Sequence, residues 1–171
     1  MNGSKQRPTL PPAAPIATEL RQALVNAIDD VSQRGDVTVQ LKIRGGLPSQ
    51  RYIFDFSATG EGKAHCSFEC ALSKRSGRSN EHGVSPNQIQ ELLKQLPAAV
   101  TCSLEGEWFL PDTLLGILDI SAGGYSRRFV YAADPEQAKT QGKALPEQLK
   151  RVINTIHRIA AKLTGVRSTN P

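Results

Sequence analysis

The residues of this 171-residue chain that could do chemistry are few, and the densest group is His65, Cys66 and Cys70. Read as letters, these are metal ligands. A tetrahedral zinc needs its ligands about 2.0–2.3 Å from one point. The segment that carries them alternates apolar and polar residues, and an extended chain rises about 3.3 Å per residue. Cys66 and Cys70 would then stand about 13 Å apart, with His65 on the opposite side of the strand. No metal site is expected there, and the two cysteines read as small buried hydrophobes. His82 falls in a polar loop and His157 on the polar side of the last helical pattern. None of the three histidines belongs to a recognisable serine or cysteine nucleophile motif. Asp29-Asp30 reads as solvated helix surface rather than an acid pair. Gly45-Gly46 and Gly123-Gly124 lack both the G-x-G-x-x-G spacing and a P-loop lysine, so they read as turns. No catalytic residue and no cofactor is expected, and the chain reads as a non-enzyme.

Two surfaces remain that could bind a partner. One is the polar stretch 73–83, with Lys74, Arg75, Arg78 and His82; the other is Trp108-Phe109, which is either core or an exposed anchor. A protein partner is the leading expectation. The alternative is RNA or single-stranded DNA, bound through Lys42, Arg44, Arg51, Lys63, Lys74, Arg75 and Arg78. A net charge of +5 and a pI near 9.3 permit this without requiring it. Sheet faces that bind single strands also carry exposed aromatic rings for stacking. Here Tyr52, Phe54 and Phe56 alternate with the charged set, so at least some of them belong to the core.

The elements that must position these residues centre on Asp36 to Leu72. Val37, Val39, Leu41 and Ile43 alternate with Thr38, Gln40, Lys42 and Arg44, the pattern of a strand wet on one face. Tyr52, Phe54 and Phe56 share a side of a second strand, with Ile53 and Asp55 opposite. Ala64, Cys66, Phe68, Cys70 and Leu72 share a side of a third. Gly45-Gly46 and Gly60 to Gly62 supply hairpin turns. Such a meander exposes an apolar face that the rest of the chain must cover.

Ile16 to Arg34 reads as a helix with an apolar stripe from Ile16 through Leu20, Leu24 and Ile28 to Val31, stopped by Gly35. It could cover the sheet or pair two copies as a homodimer. Ser85-Pro86 opens a second helix, with Gln88 at the capping-box position, Ile89, Leu92, Leu93 and Leu96 on its apolar face, and Pro97 as its end. Val100 to Leu104 could form a short strand. A second hairpin runs from Thr113 to Ala133 around Gly123-Gly124. Pro146 to Thr164 is the clearest helix, with Leu149, Val152, Ile153, Ile156, Ile159, Ala160 and Leu163 in its stripe and Gly165 at its end.

Residues 1–15 carry four prolines and no periodicity, so they read as a disordered proline-rich tail, with a P-x-x-P pattern within Pro8 to Pro12. Residues 166–171 read as a second tail, leaving one domain over 16–165. The start has no apolar segment of a signal peptide, and no run approaches the ~20 apolar residues of a membrane span. The three cysteines, an odd number, suit free thiols in a reducing, cytoplasmic setting.

The layout resembles emfourin-type domains. The likeness rests on the strand ending in Arg44-Gly45-Gly46, the aromatic strand, the Thr59-Gly60-Glu61-Gly62 turn and the basic loop. It continues through Ser85-Pro86 with Ile89, Leu92 and Leu93, the Gly123-Gly124-Tyr125 hairpin, and Leu145-Pro146 with Leu149, covering about residues 37–163. Emfourin-like proteins are small bacterial inhibitors of thermolysin-type metalloproteases. The resemblance implies an α+β fold and an inhibitory, protein-binding role, and it carries over no inhibitory residue. The expectation is an antiparallel sheet, a meander of three strands plus a hairpin, with helices packed on one face, in a protein-binding module that acts as a regulator or inhibitor.

Overall fold

A computed structural model of the chain describes residues 14–46, 51–79, 82–104, 114–134 and 145–165. The meander forms as its alternation dictates: β1 (Thr38–Gly45), β2 (Tyr52–Thr59) and β3 (Lys63–Cys70) pair antiparallel in sequence. The hairpin β6 (Leu115–Ala122) and β7 (Tyr125–Ala132) adds to the other side of β1, which places β1 at the centre. Two short strands, β4 (Arg75–Arg78) and β5 (His82–Gly83), pair with the outer side of β3. The sheet order is β4-β3-β2-β1-β6-β7, antiparallel throughout.

Register aligns the apolar residues of every strand on one face. Ile43, Phe54 and Phe68 stand side by side, as do Leu41, Phe56 and Cys66, and Leu118 and Phe129 continue the second row. All of them are buried. Tyr131 crosses the sheet over Gly116, where even a methyl group would lie 2.2 Å from its ring, so only glycine fits beneath it.

Three helices cover that face: α1 (Ala14–Asp29), α2 (Pro86–Ala99) and α3 (Glu147–Thr164). α1 lies over β6 and β7, α3 over β3, and α2 packs against both helices. The stripe of α3 inserts Leu149, Val152, Ile156 and Ile159 into the core, each large side chain contributing about 1.5–3 kcal/mol. Gly165 ends the helix in the left-handed conformation, with φ 69°. Ser85 caps α2 by accepting from the Gln88 N–H, and its hydroxyl donates to the Gln88 side chain at 2.9 Å. Arg127 of β7 donates to the carbonyls of Val100 and Cys102, placing a cation at the C-terminal end of α2. The same guanidinium lies 4.8 Å over the ring of Phe129.

The structure corrects several expectations. The first helix stops at Asp29, not at Gly35. Asp30 accepts from the N–H and hydroxyl of Ser32 and starts a 3-10 turn over Val31–Asp36. Arg34 reaches back to the carbonyls of Ala27 and Ile28 and closes the end of α1. Val31 therefore leaves the apolar stripe and is 68% exposed. Leu20, Leu24 and Ala27 are buried inside the monomer, so most of the stripe that could have paired two copies already covers the sheet.

β3 ends at Cys70, and Leu72 is 72% exposed rather than in the apolar row. The chain turns over residues 71–74, where Lys74 takes φ 52°, and returns as β4 through part of the stretch read as a loop. Pro97 does not end α2. It sits in the last turn, and the Val100 N–H still reaches the Leu96 carbonyl at 3.0 Å. Residues 100–104 form no strand; Arg127 takes two of their carbonyls instead. His157 is buried rather than on the polar side of its helix. In the β2–β3 turn only Gly62 has positive φ (93°). Gly60 is needed for space, since a Cβ there would lie 2.4 Å from the Arg34 carbonyl.

Candidate functional site

The face of the sheet opposite the helices is packed against no described element. Its side chains follow from alternation: Gln40, Lys42 and Arg44 of β1, Ile53, Asp55 and Ser57 of β2, and His65, Ser67 and Glu69 of β3 are intermediate or exposed. Register turns them into cross-strand rows. Val130, Ile117, Lys42, Asp55, Ser67 and Arg78 stand abreast; Leu115, Arg44, Ile53, Glu69 and Ser76 form the next row.

These rows bring together some of the expected cations and neutralise others. Arg44 donates to both Asp55 oxygens at 2.6 Å and to the Phe54 carbonyl at 2.9 Å. Arg128 binds both oxygens of Asp119, at 2.7 and 3.0 Å. Lys42 and Lys63 are exposed on this face without an ion pair among the described residues, and Arg51 stands exposed just before β2. The rings that could stack bases lie elsewhere: Tyr52, Phe54 and Phe56 are all buried under the helices. Among the described residues, the open face is thus of mixed charge, and its one ring is the part-exposed imidazole of His65.

The β4 edge differs from the rest of the face. Lys74, Arg75 and Arg78 are exposed and make no ion pair with any described residue. Beside β4 lies a shallow groove of about 410 Å³, lined by Ile53, Ser67, Phe68, Glu69, Ser76, Gly77 and Arg78. Its shape follows from side-chain size. Ser67 and Ser76 are small, while Ile53, Glu69 and Arg78 stand up around them. On the other face Gly77 makes room for the Phe68 ring, which a Cβ would meet at 2.3 Å. Ser79 locks the end of the edge: its N–H donates to the Cys66 carbonyl at 2.8 Å, and its hydroxyl oxygen accepts the Cys66 N–H at 2.8 Å.

Of the expected partner-binding residues, the structure thus gathers Lys74, Arg75 and Arg78 on one edge. His82 belongs to β5 by its backbone, and its side chain lies outside the described residues; Trp108 and Phe109 lie outside them altogether. Sequence reasoning missed Ile53, Ser67, Glu69 and Ser76. The available signal was the alternation of Arg75 and Gly77 with Ser76 and Arg78, a strand pattern shortened to four residues.

The thiols occupy contrasting environments. Burial, with the Asp55 carboxylate adding to it, pushes the Cys66 thiol up to about 12. Hydrogen bonds from the Ser73 side chain and backbone hold Cys70 below the usual thiol range. Burial raises Cys102, against the nearby Arg127. Among the described residues no three His, Cys, Asp or Glu side chains come together as metal ligands. No helix among the described residues is long and apolar enough to cross a membrane. No protein-family model matches the chain, and no curated protein matches it in sequence.

Proposed function

We propose that this chain is a non-enzymatic protein-binding domain that engages its partner at the β4 edge and the adjoining groove. The observation that carries the reading is the segregation of charge. Arg44 and Arg128 are neutralised within the sheet, whereas Lys74, Arg75 and Arg78 are left exposed together beside a groove with an apolar wall. Free cations next to a concave apolar contact suit an acidic protein surface. A phosphate backbone would also be attracted to them, but among the described residues the open face offers bases only the imidazole of His65, with no phenylalanine, tyrosine or tryptophan on which to stack. The resemblance to emfourin-type domains adds a particular role, inhibition of a thermolysin-type metalloprotease. The free thiols Cys66, Cys70 and Cys102 suit a reducing, cytoplasmic setting.

The test is affinity capture from the source lysate, split into nuclease-treated and untreated halves. It is run with the protein and with a variant carrying Lys74→Glu, Arg75→Glu and Arg78→Glu. A protein retained after nuclease by the parent and lost by the variant supports the reading. Retention that depends on nucleic acid overturns it in favour of the RNA or single-stranded DNA alternative. A thermolysin-type protease assayed with the chain in excess decides the inhibitor role: undiminished hydrolysis removes it.

A further inference from the structure

We infer that the partner segment is an acidic, extended stretch of polypeptide that adds to the sheet as a further strand on β4. This rests on the protein-binding reading above and names the chemistry of its site.

Hydrogen-bond parity sets which backbone groups of β4 face away from the sheet. In an antiparallel ladder, opposed residues alternate between pairs that exchange hydrogen bonds and pairs whose N–H and C=O groups point away from each other. The Ser79 N–H donates to Cys66, which sets the phase of the β3–β4 ladder. Stepping back by two residues, Gly77 opposite Phe68 and Arg75 opposite Cys70 face β3. Ser76 and Arg78 are out of phase, so their backbone N–H and C=O groups point outward from the sheet. Among the described residues β4 is the last strand on this side, and none of them takes those groups. They form a short template for another strand.

Side chains select the occupant. An added strand would place alternate residues on the open face, beside Ser76 at the outer rim of the groove and beside Arg78, and the residues between them on the face of Arg75 and Gly77. Carboxylates on its open face would meet Arg78, and Arg75 stands on the opposite face of the edge with Lys74 at the turn before it. A second copy of β4 would set arginines against arginines, which like-charge repulsion disfavours. A segment with carboxylates on one face and β-branched residues on the other sets its charges against Arg78 on the open face, while the β-branched residues favour the extended backbone that pairing needs.

The experiment uses the full chain and a blocked, fluorescein-labelled peptide of alternating threonine and glutamate, read by anisotropy and by amide resonances of the protein. Its lysine counterpart and a version N-methylated at alternate residues serve as controls. The threonine–glutamate peptide is expected to bind, to shift the Ser76 and Arg78 amides and slow their exchange, and to lose at least tenfold in affinity on N-methylation. Arg78→Glu should weaken it at least tenfold. Ser76→Pro should do the same, because it removes an outward N–H at a position where an edge strand tolerates proline. Failure of the acidic peptide to bind, or equal binding of the N-methylated form, overturns strand addition without any variant of the protein. If captured protein is still lost on charge reversal while this peptide fails, the binding edge stands and the added strand falls. If no protein is captured at all, the broader reading fails with it.

Discussion

The rings of His157 on α3 and Phe54 on β2 meet at 4.8 Å between centroids, tilted by 37°. The imidazole is thereby held in the interface between helix and sheet, 6% exposed. Burial disfavours its charged form and lowers its pKa to about 4. The unfolded chain binds this proton near pH 6.5 and the folded chain only near 4, so the unfolded state takes up more protons between those values. Stability from this group is complete above about pH 6.5 and is lost progressively as pH falls towards 4. Denaturant titrations should show a loss of about 2 kcal/mol between pH 7.5 and pH 5. The His157→Leu variant should lose most of that slope; an unchanged slope would show that other groups carry the effect.

The Tyr131 hydroxyl is buried with no hydrogen-bond partner among the described residues. A buried polar group without a partner carries its desolvation cost uncompensated, about 1–3 kcal/mol. Tyr131→Phe keeps the ring over Gly116 and removes that cost. Its thermal midpoint should equal or exceed the parent's, whereas a fall of several degrees would mean that the hydroxyl is satisfied in solution.

Ser79 shows the opposite balance. Its hydroxyl is the acceptor of the buried Cys66 N–H, at 2.8 Å. Ser79→Ala leaves that N–H orphaned and should cost about 1–3 kcal/mol, read as a lower denaturant midpoint. Ser76→Ala, three residues away on the exposed edge, should stay within about 0.5 kcal/mol of the parent. The contrast separates the buried joint of the edge from its outer surface.

Alkylation should rank the three thiols. Cys70, its thiolate stabilised by Ser73, should react with iodoacetamide first near neutral pH. Cys102, partly buried and close to the Ala98 carbonyl and the Gln148 side chain, should follow. Cys66 should react only on unfolding. Mass spectrometry of a time course gives the order, and Ser73→Ala should slow Cys70 while leaving Cys102 unchanged.

The sequence by itself determined the strands and helices whose periodicity is long. Thr38 to Gly45 alternates over its whole length, and Glu147 to Thr164 repeats its apolar residues at helical spacing up to a glycine stop. In each case local chemistry and burial point the same way. Tertiary structure decided what depends on partners distant in the chain. His157 carries a polar side chain, but its place on α3 is set by the sheet beneath, so it is buried against Phe54. The α1 helix ends five residues before the last position of its sequence pattern because the Asp30 carboxylate competes for the backbone, a contest that apolar spacing does not register. β4 is four residues of arginine, serine and glycine. It becomes a strand because β3 offers an open ladder and Ser79 closes its end. The candidate edge follows the same rule: basic residues at 74, 75 and 78 are legible as letters, but which cations remain unpaired depends on register. Asp55 stands opposite Lys42 and diagonal to Arg44, and it binds Arg44, leaving Lys42 without a partner among the described residues.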